Sequence, residues 1–122
     1  MSRITVLIAC LAAALALAAP MGSMGSTSAT RLTGTTGPGF TITLKKGTAT
    51  VRTLKAGRYT ITVRDRSAIH NFRIKGPGLN KMITSLSFTG TKSATVTLRK
   101  GTYIYQCDPH VRQGMKKTFR VT

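Results

Sequence analysis

Three side chains with soft donor atoms lie within nine residues of one another near the end of the chain. Cys107, His110 and Met115 have the spacing Cys-x2-His-x4-Met and directly follow the alternating run 101–106. A thiolate, an imidazole and a thioether, with one further imidazole, are the donor set of a trigonal His2Cys copper site with a weak axial Met. The chain has one other histidine, His70. A copper site therefore requires a scaffold that brings His70 to this loop.

Each part of this pattern is weak by itself. A lone Cys-x2-His is equally half of a zinc site or an inert cysteine beside a surface histidine, and a single Met is more often core than ligand. The combination favours copper, because a thioether suits Cu(I) and is a poor zinc ligand. Zinc, or an empty degenerate site, is the alternative.

The small number of chemically useful side chains argues against an enzyme. One copper site already uses both histidines, so the additional copper centres of copper oxidases would have no imidazole ligands. A nucleophilic pair of Cys107 and His110 would lack a third residue to orient the base. The only acids are Asp65 and Asp108, too few for paired-carboxylate hydrolysis or an oxygen-rich Ca²⁺ or Mg²⁺ site.

The 122 residues include 19 Lys and Arg, and the formal net charge is +17. These cations fall at expected turns and strand ends, for example at 45–46, 99–100 and 116–117. No helix carries a basic stripe and no aromatic residues alternate with the charges, so we predict no nucleic-acid binding. A solvated surface that keeps the protein a monomer is the simplest interpretation. Attraction to an acidic redox partner, or association with an anionic membrane surface, is the alternative.

The first residues predict export. A short positive segment, 1–3, is followed by an apolar run from 4 to 19. This is the pattern of a secretory signal peptide, with small-residue cleavage signatures at 16–18 and 27–29. We therefore expect a leader at 1–19, cleavage between 18 and 29, and a periplasmic, extracellular or cell-envelope location. The run is short for a membrane span, and an uncleaved anchor is the alternative.

Removal of the leader would leave one cysteine. Cys10 would be lost with it, and Cys107 would have no partner for a disulfide within the chain. A lone thiol in an oxidising compartment needs another explanation, such as pairing with another chain or engagement by a metal.

The rest of the chain predicts an all-β domain. Residues 20–38 are rich in Gly, Ser and Thr without a hydrophobic period, which predicts a flexible linker. In 39–122, short alternating segments are separated by turn signals about every ten residues, which is typical of an antiparallel β-sandwich, here of seven to eight strands. The apolar sets expected to face inward are Phe40, Ile42 and Leu44; Tyr59, Ile61 and Val63; Met82, Leu86 and Phe88; Ala94, Val96 and Leu98; and Tyr103, Tyr105 and Cys107.

This pattern also places His70. His70 has the parity of Phe72 and Ile74, so it is predicted to lie at the start of a strand and to point inward. Cys107 ends its own strand. If these two strands are antiparallel neighbours, the start of one lies beside the end of the other. The sequence therefore predicts that His70 reaches the Cys107 loop.

Residues 40–122 resemble the cupredoxins, in particular the plastocyanin and pseudoazurin type in its small bacterial form. The resemblance rests on the dipeptide His70-Asn71, the ligand-loop spacing, the run 101–103 and Pro109. It implies an eight-stranded Greek-key sandwich. It also implies single-electron transfer by one copper ion that alternates between Cu(I) and Cu(II).

The resemblance also implies roles for individual residues. Cys107 would be the thiolate ligand, and Asn71 would hydrogen-bond into the ligand loop and hold that cysteine in place. His110 would be the ligand on the solvent side, through which the electron passes. The full set of implied ligands is His70, Cys107, His110 and Met115. The implied contacts to a redox partner are Pro109, His110, Val111 and Gly114.

Two features depart from plastocyanins. Gln106 stands where those proteins usually have Tyr, and the surface is basic where theirs is acidic. Both argue against the photosynthetic docking mode. We therefore predict an exported mononuclear type 1 copper protein that carries single electrons between redox partners and is not an enzyme. The alternative is a module that buffers or delivers copper without electron transfer.

Overall fold

A computed structural model of the protein describes residues 28–122. The predicted leader, and the predicted linker as far as residue 27, lie outside the described residues. Ten strands and one 3-10 helix, Asp108–Gln113, follow one another along the described chain. The strands are β1 (Thr30–Thr36), β2 (Ile42–Lys46), β3 (Ala49–Thr50), β4 (Thr53–Leu54), β5 (Gly57–Asp65), β6 (Phe72–Gly76), β7 (Leu79–Thr84), β8 (Gly90–Leu98), β9 (Gly101–Gln106) and β10 (Lys116–Val121).

The strands form two five-stranded sheets. The first has the order β3-β2-β1-β5-β8 and the second has the order β4-β10-β9-β6-β7. The predicted β-sandwich is therefore confirmed. Two of the ten strands, β3 and β4, have only two residues each. The eight longer strands agree in number with the prediction, but one of them, β1, was not expected. The sheets are mixed, however, because β1 pairs with β5 and β4 pairs with β10 in parallel.

Alternating apolar residues build the core between the sheets. Tyr59, Ile61 and Val63 of β5 are all buried, as the alternation predicted. In the second sheet, the Phe72 ring stacks on Tyr105 with 5.7 Å between the ring centroids. These stacked rings fill the sandwich directly beside the start of β6, which is where His70 lies.

The linker prediction is wrong over residues 30–36, which form β1. This strand lies in the middle of the first sheet and pairs with β2 on one side and β5 on the other. It buries only one large apolar side chain, Leu32. At Gly34 the opposite sheet comes so close that an added Cβ would lie 2.9 Å from the Phe72 ring. Backbone pairing on both edges holds this strand, and an apolar repeat is not needed.

Three inward assignments are also wrong. Met82 is 44% exposed and its neighbour Ile83 is buried, because the register between β6 and β7 shifts at a bulge next to Phe72 and thus reverses the alternation. Phe40 is 54% exposed and lies in the turn before β2. Leu86, 46% exposed, lies between β7 and β8.

The register between β6 and β9 positions the two predicted ligand segments. The strands are antiparallel neighbours, and Arg73 near the start of β6 lies opposite Gln106 at the end of β9. The start of β6 and the end of β9 therefore meet at one end of the sandwich, as expected. Within residues 28–122, no helix is long and apolar enough to span a membrane.

Candidate metal centre

The segments before β6 and after β9 carry the predicted donors. His70 lies two residues before β6 and is 1% exposed, and Cys107 directly follows β9 and is fully buried. His110 lies in the 3-10 helix and is half-buried. The prediction that His70 reaches the Cys107 loop is therefore confirmed.

Three donor atoms converge at this end of the sandwich. The Cys107 Sγ lies 3.3 Å from the His110 Nδ1 and 3.6 Å from the His70 Nδ1. The two Nδ1 atoms are 2.9 Å apart. All three donors lie within 4.8 Å of one another, and no other such group of His, Cys or acidic side chains occurs among residues 28–122. One metal ion can be shared by these atoms, because each is a donor that copper accepts.

A backbone contact fixes the orientation of His70. Its Nε2 lies 2.7 Å from the Gly39 carbonyl oxygen. A carbonyl oxygen only accepts hydrogen bonds, so Nε2 carries the proton and donates it. The Nδ1 of this tautomer keeps its lone pair, and that lone pair faces Cys107. A ligand histidine whose second nitrogen is held in this way is a general feature of metal sites.

The loop from Cys107 to Met115 is closed by its own backbone. The Cys107 N–H donates to the Met115 carbonyl over 3.0 Å, and the Met115 N–H donates to the His110 carbonyl over 3.2 Å. Pro109 fits the first turn of the 3-10 helix because it has no N–H to leave unpaired. Gly114 ends the helix with φ of 95°, a left-handed conformation that favours glycine. Met115 is fully buried directly beyond it.

The donor set and the loop agree with the comparison to known families. The model of the copper binding proteins, plastocyanin/azurin family, matches residues 40–122. The chain belongs to this family. Among curated proteins, none matches this cupredoxin.

Solved structures of rusticyanin share the fold of this cupredoxin. The copper protein rusticyanin superposes with a TM-score of 0.57 at 19% identity, over 75% of this chain and 76% of that chain. A Met-to-Gln mutant of rusticyanin gives 0.56 at 20% identity with the same coverage. Reduced rusticyanin gives 0.54 at 21% identity, over 75% of this chain and 78% of that chain. Together with the donor set, the family fits a single type 1 copper site formed by the cluster of His70, Cys107, His110 and Met115.

Asn71 ties the two ligand segments of this cupredoxin together. Its Oδ1 accepts a hydrogen bond from the Asp108 N–H over 2.7 Å, and its Nδ2 donates to the Asp108 carboxylate over 2.9 Å. Both bonds go to the residue that follows Cys107. Asn71 thus contacts the ligand loop at the place the family resemblance implied, through the neighbour of the cysteine.

Asp108 is the centre of a hydrogen-bond network that the sequence analysis missed. Besides Asn71, its carboxylate accepts bonds from Gln106 Nε2 over 2.9 Å and from Arg73 Nε over 2.9 and 3.1 Å. Burial acts to raise the pKa of the Asp108 carboxyl, but these three donors outweigh burial and the pKa lies below its ordinary value. The carboxylate therefore stays ionised at neutral pH. The available signal was an acid directly after Cys107 in a chain with only two acids.

The environment of Cys107 favours the protonated thiol when no metal is bound. Burial raises the pKa of this thiol, and backbone hydrogen bonds at Asn71 and His110 only partly oppose it. The negative charges of Asp108 and Asp65 raise it further. Metal binding must therefore displace a proton here, because the ligand is the thiolate.

An aromatic ring covers the solvent side of the centre. The Phe40 ring lies 5.0 Å from the His110 ring and 6.1 Å from the His70 ring, measured between centroids. Sequence alternation assigned Phe40 to the core, and its contact with the histidines was missed. Pro109 and Gly114 are exposed beside His110, and Val111 is half-buried. His110 is thus the most exposed of the three donors.

Proposed function

We propose that this protein is an exported mononuclear type 1 copper protein that carries one electron at a time between redox partners. The single observation that carries the proposal is the convergence of the His70, Cys107 and His110 donor atoms within 4.8 Å at one end of a cupredoxin sandwich. In this assignment His70 and His110 are the imidazole ligands, Cys107 is the thiolate and Met115 is the axial thioether. Copper bound there supplies the one-electron chemistry by alternating between Cu(I) and Cu(II).

The residues around the donors support a carrier over a copper buffer or delivery module. A carrier benefits from ligands that move little, and here each donor has its own restraint. Gly39 holds the His70 ring, the Asn71–Asp108 bonds hold the residue after Cys107, and the loop backbone links Cys107 to Met115. A module that takes up and releases copper needs access, whereas Cys107 and Met115 are fully buried.

We assign electron exchange to His110 and the surface around it. His110 is the most exposed donor, and Pro109, Val111 and Gly114 surround it. The Phe40 ring adds an apolar surface at the same place. A redox partner that docks there would need no charged contact at the ligand itself. We assign no catalytic residue, because both histidines of the chain belong to the donor set.

A visible spectrum of the copper-loaded protein tests the proposal. A thiolate ligand in a type 1 site should give an intense blue charge-transfer band. A colourless protein that holds zinc in preference to copper would contradict the assignment. Reversible one-electron voltammetry then separates a carrier from a buffer, since a buffer should lose its copper in one oxidation state.

Cys107 and Met115 should contribute differently to the colour, the copper content and the reduction potential of the protein. Cys107→Ser should abolish the blue band, because the charge transfer comes from the thiolate. Met115→Leu should keep both copper and colour and should shift the reduction potential, because an axial thioether is a weak ligand that tunes the potential. Copper content, absorption and voltammetry of the two variants provide the measurement. Equal loss of copper from both would contradict the axial role of Met115.

A further inference from the structure

The end of the sandwich away from the metal centre is strongly basic. Exposed cations cluster there, and we call five of them the basic pole: Lys46, Lys55, Arg58, Arg99 and Lys100. They come from the end of β2, the β4–β5 turn, the start of β5 and the β8–β9 turn.

The strand registers place these turns together. Gly57 at the start of β5 lies opposite Leu98 at the end of β8, and Val121 at the end of β10 lies opposite both Gly101 and Leu54. The metal centre lies at the other ends of these strands, where β9 finishes and β10 begins. The basic pole and the metal centre are therefore at opposite ends of the same sandwich.

A cleft lies open at the basic pole. Its volume is about 840 Å³, and Lys46, Lys55 and Arg58 line it together with Ser28 and Thr30. No acidic side chain lines it. Three cations with no neighbouring acidic side chain leave a local excess of positive charge, which attracts an anionic surface.

The acids of the described chain lie at the opposite end. Asp65 is the last residue of β5, and Asp108 directly follows the metal ligand Cys107. Asp108 is also paired with Arg73, through Nε and a carboxylate oxygen 2.9 Å apart. The carboxylates therefore lower the positive potential near the metal centre and leave that of the basic pole undiminished.

The described part of the chain begins at the basic pole. Ser28, the first described residue, lines the cleft. Only eight residues, 20–27, separate it from the apolar run that ends at Ala19. Even fully extended, eight residues span at most about 30 Å. A membrane that holds the apolar run would therefore have the basic pole close to its surface.

We propose that the basic pole binds the surface of a membrane that contains anionic phospholipids, with His110 facing away from the bilayer. Lipid phosphates need only cations to bind, whereas a protein interface also needs an apolar centre. Among residues 28–122, none of the exposed large apolar side chains, Phe40, Ile69, Met82 and Leu86, lines the cleft. The proposal does not depend on electron transfer, and copper-free protein should bind equally.

Vesicle binding of the full chain is the test. The protein should bind phosphatidylglycerol vesicles and should be released as the salt concentration rises, because surface charges are screened within about 8 Å at physiological ionic strength. Phosphatidylcholine vesicles measure any contribution from the apolar run. Combined Lys46→Glu, Lys55→Glu and Arg58→Glu changes should weaken binding to the anionic vesicles by at least about 100-fold. Each cation near an anionic bilayer contributes roughly a fivefold gain, and each new carboxylate is also repelled by the anionic lipids.

A control with the same net charge separates position from total charge. Combined Arg64→Glu, Arg66→Glu and Lys117→Glu changes alter exposed cations at the metal end. This variant should bind anionic vesicles at least tenfold more tightly than the variant at the basic pole. All variants keep residues 1–27 unchanged, so a difference between them comes from the folded domain.

Several results would overturn the proposal. They are equal weakening by the two triple variants, equal binding of the natural chain to both vesicle types, and tighter binding to single-stranded RNA than to anionic vesicles. Circular dichroism checks that each variant folds. If the basic-pole variant does not fold, Arg99→Gln combined with Lys100→Gln replaces it, with an expected weakening of about 25-fold. Unchanged binding by that folded variant would also contradict the proposal.

Discussion

Asn71 connects two chain segments that are 37 positions apart through its hydrogen bonds to Asp108, the residue that follows Cys107. The asparagine follows one imidazole donor and bonds to the residue after the thiolate donor. The carboxylate of Asp108 is in turn held by Gln106 and Arg73, and Arg73 Nη1 donates to Asn80 over 2.9 Å. The cysteine is thus positioned by a chain of polar contacts that reaches to β7.

Asn71→Ala should lower copper affinity by about 10–100-fold, as is common when a group that orients a metal ligand is removed. The matched control is Asn80→Ala, which removes a bond at the far side of Arg73 and leaves both Asn71–Asp108 bonds in place. Competitive titration with a Cu(I) chelator measures the copper affinity of both variants. Equal affinities for the two variants would show that Asn71 does not hold the site.

β1 is the element on which the first sheet depends. It registers with seven residues of β5 and four of β2, so it separates two parts of the sheet that do not otherwise pair. Yet the family match begins at residue 40, and the sequence placed the domain boundary at 39. Both boundaries leave this strand out.

A chain that starts at residue 39 should therefore fail to fold, while a chain that starts at residue 28 should fold and bind copper. The shorter chain loses Leu32 from the core and exposes the paired edges of β2 and β5. Small domains are stable by only about 5–15 kcal/mol, so the loss of a core side chain and of two rows of backbone pairing should leave the folded state unstable. Circular dichroism during thermal unfolding compares the two. Similar melting temperatures would contradict the central role of β1.

Alternation of apolar residues correctly predicted strands whose large side chains pack in the core between the sheets. It was correct for Tyr59, Ile61 and Val63, because each packs between the sheets. It missed β1, which is held by backbone pairing and whose Gly34 is covered by the side chains of Phe72 and Val63. It also failed at Ile83, because a bulge is a property of two strands and leaves no trace in one of them.

The metal site shows the same contrast between residues that their side chains reveal in the sequence and groups that act through the backbone or the fold. The donors His70, Cys107, His110 and Met115 were predictable because spacing and scarcity single them out. Two of the groups that orient or cover these donors could not be recognised from the sequence. Gly39 acts through its carbonyl oxygen, which every residue possesses, and Phe40 covers the histidines from a turn that places it out of the strand alternation.

The whole molecule behaves as a strongly positive particle. Its formal net charge is +17, and only Asp65 and Asp108 oppose the cations. Such a field acts on any charged reagent that approaches, and it acts before contact is made. The proposed binding to anionic vesicles and the proposed docking of a redox partner would both depend on this field, although at opposite ends of the sandwich.

Electron exchange with small reagents should therefore depend on their charge. Oxidation of the reduced protein by anionic ferricyanide should slow by about tenfold or more as salt is raised from 10 mM to 500 mM, because screening removes the attraction. Oxidation by a cationic cobalt(III) tris-phenanthroline complex should accelerate over the same range. Stopped-flow absorption at the blue band follows both. The same salt response for both reagents would mean that the field does not reach the site of exchange.

The position of β1 also limits where the predicted leader could be cleaved without loss of strand pairing. Cleavage after Ala18 would leave a tail ahead of the strand, whereas cleavage after Ala29 would make Thr30, the first residue of β1, the new terminus. Either product keeps every registered pair, but a cut a few residues later would remove pairs from the middle of a sheet. The later permitted cut has a second effect. Its new α-amino group would lie beside Lys46 and Arg58 and add one more positive charge to the cleft.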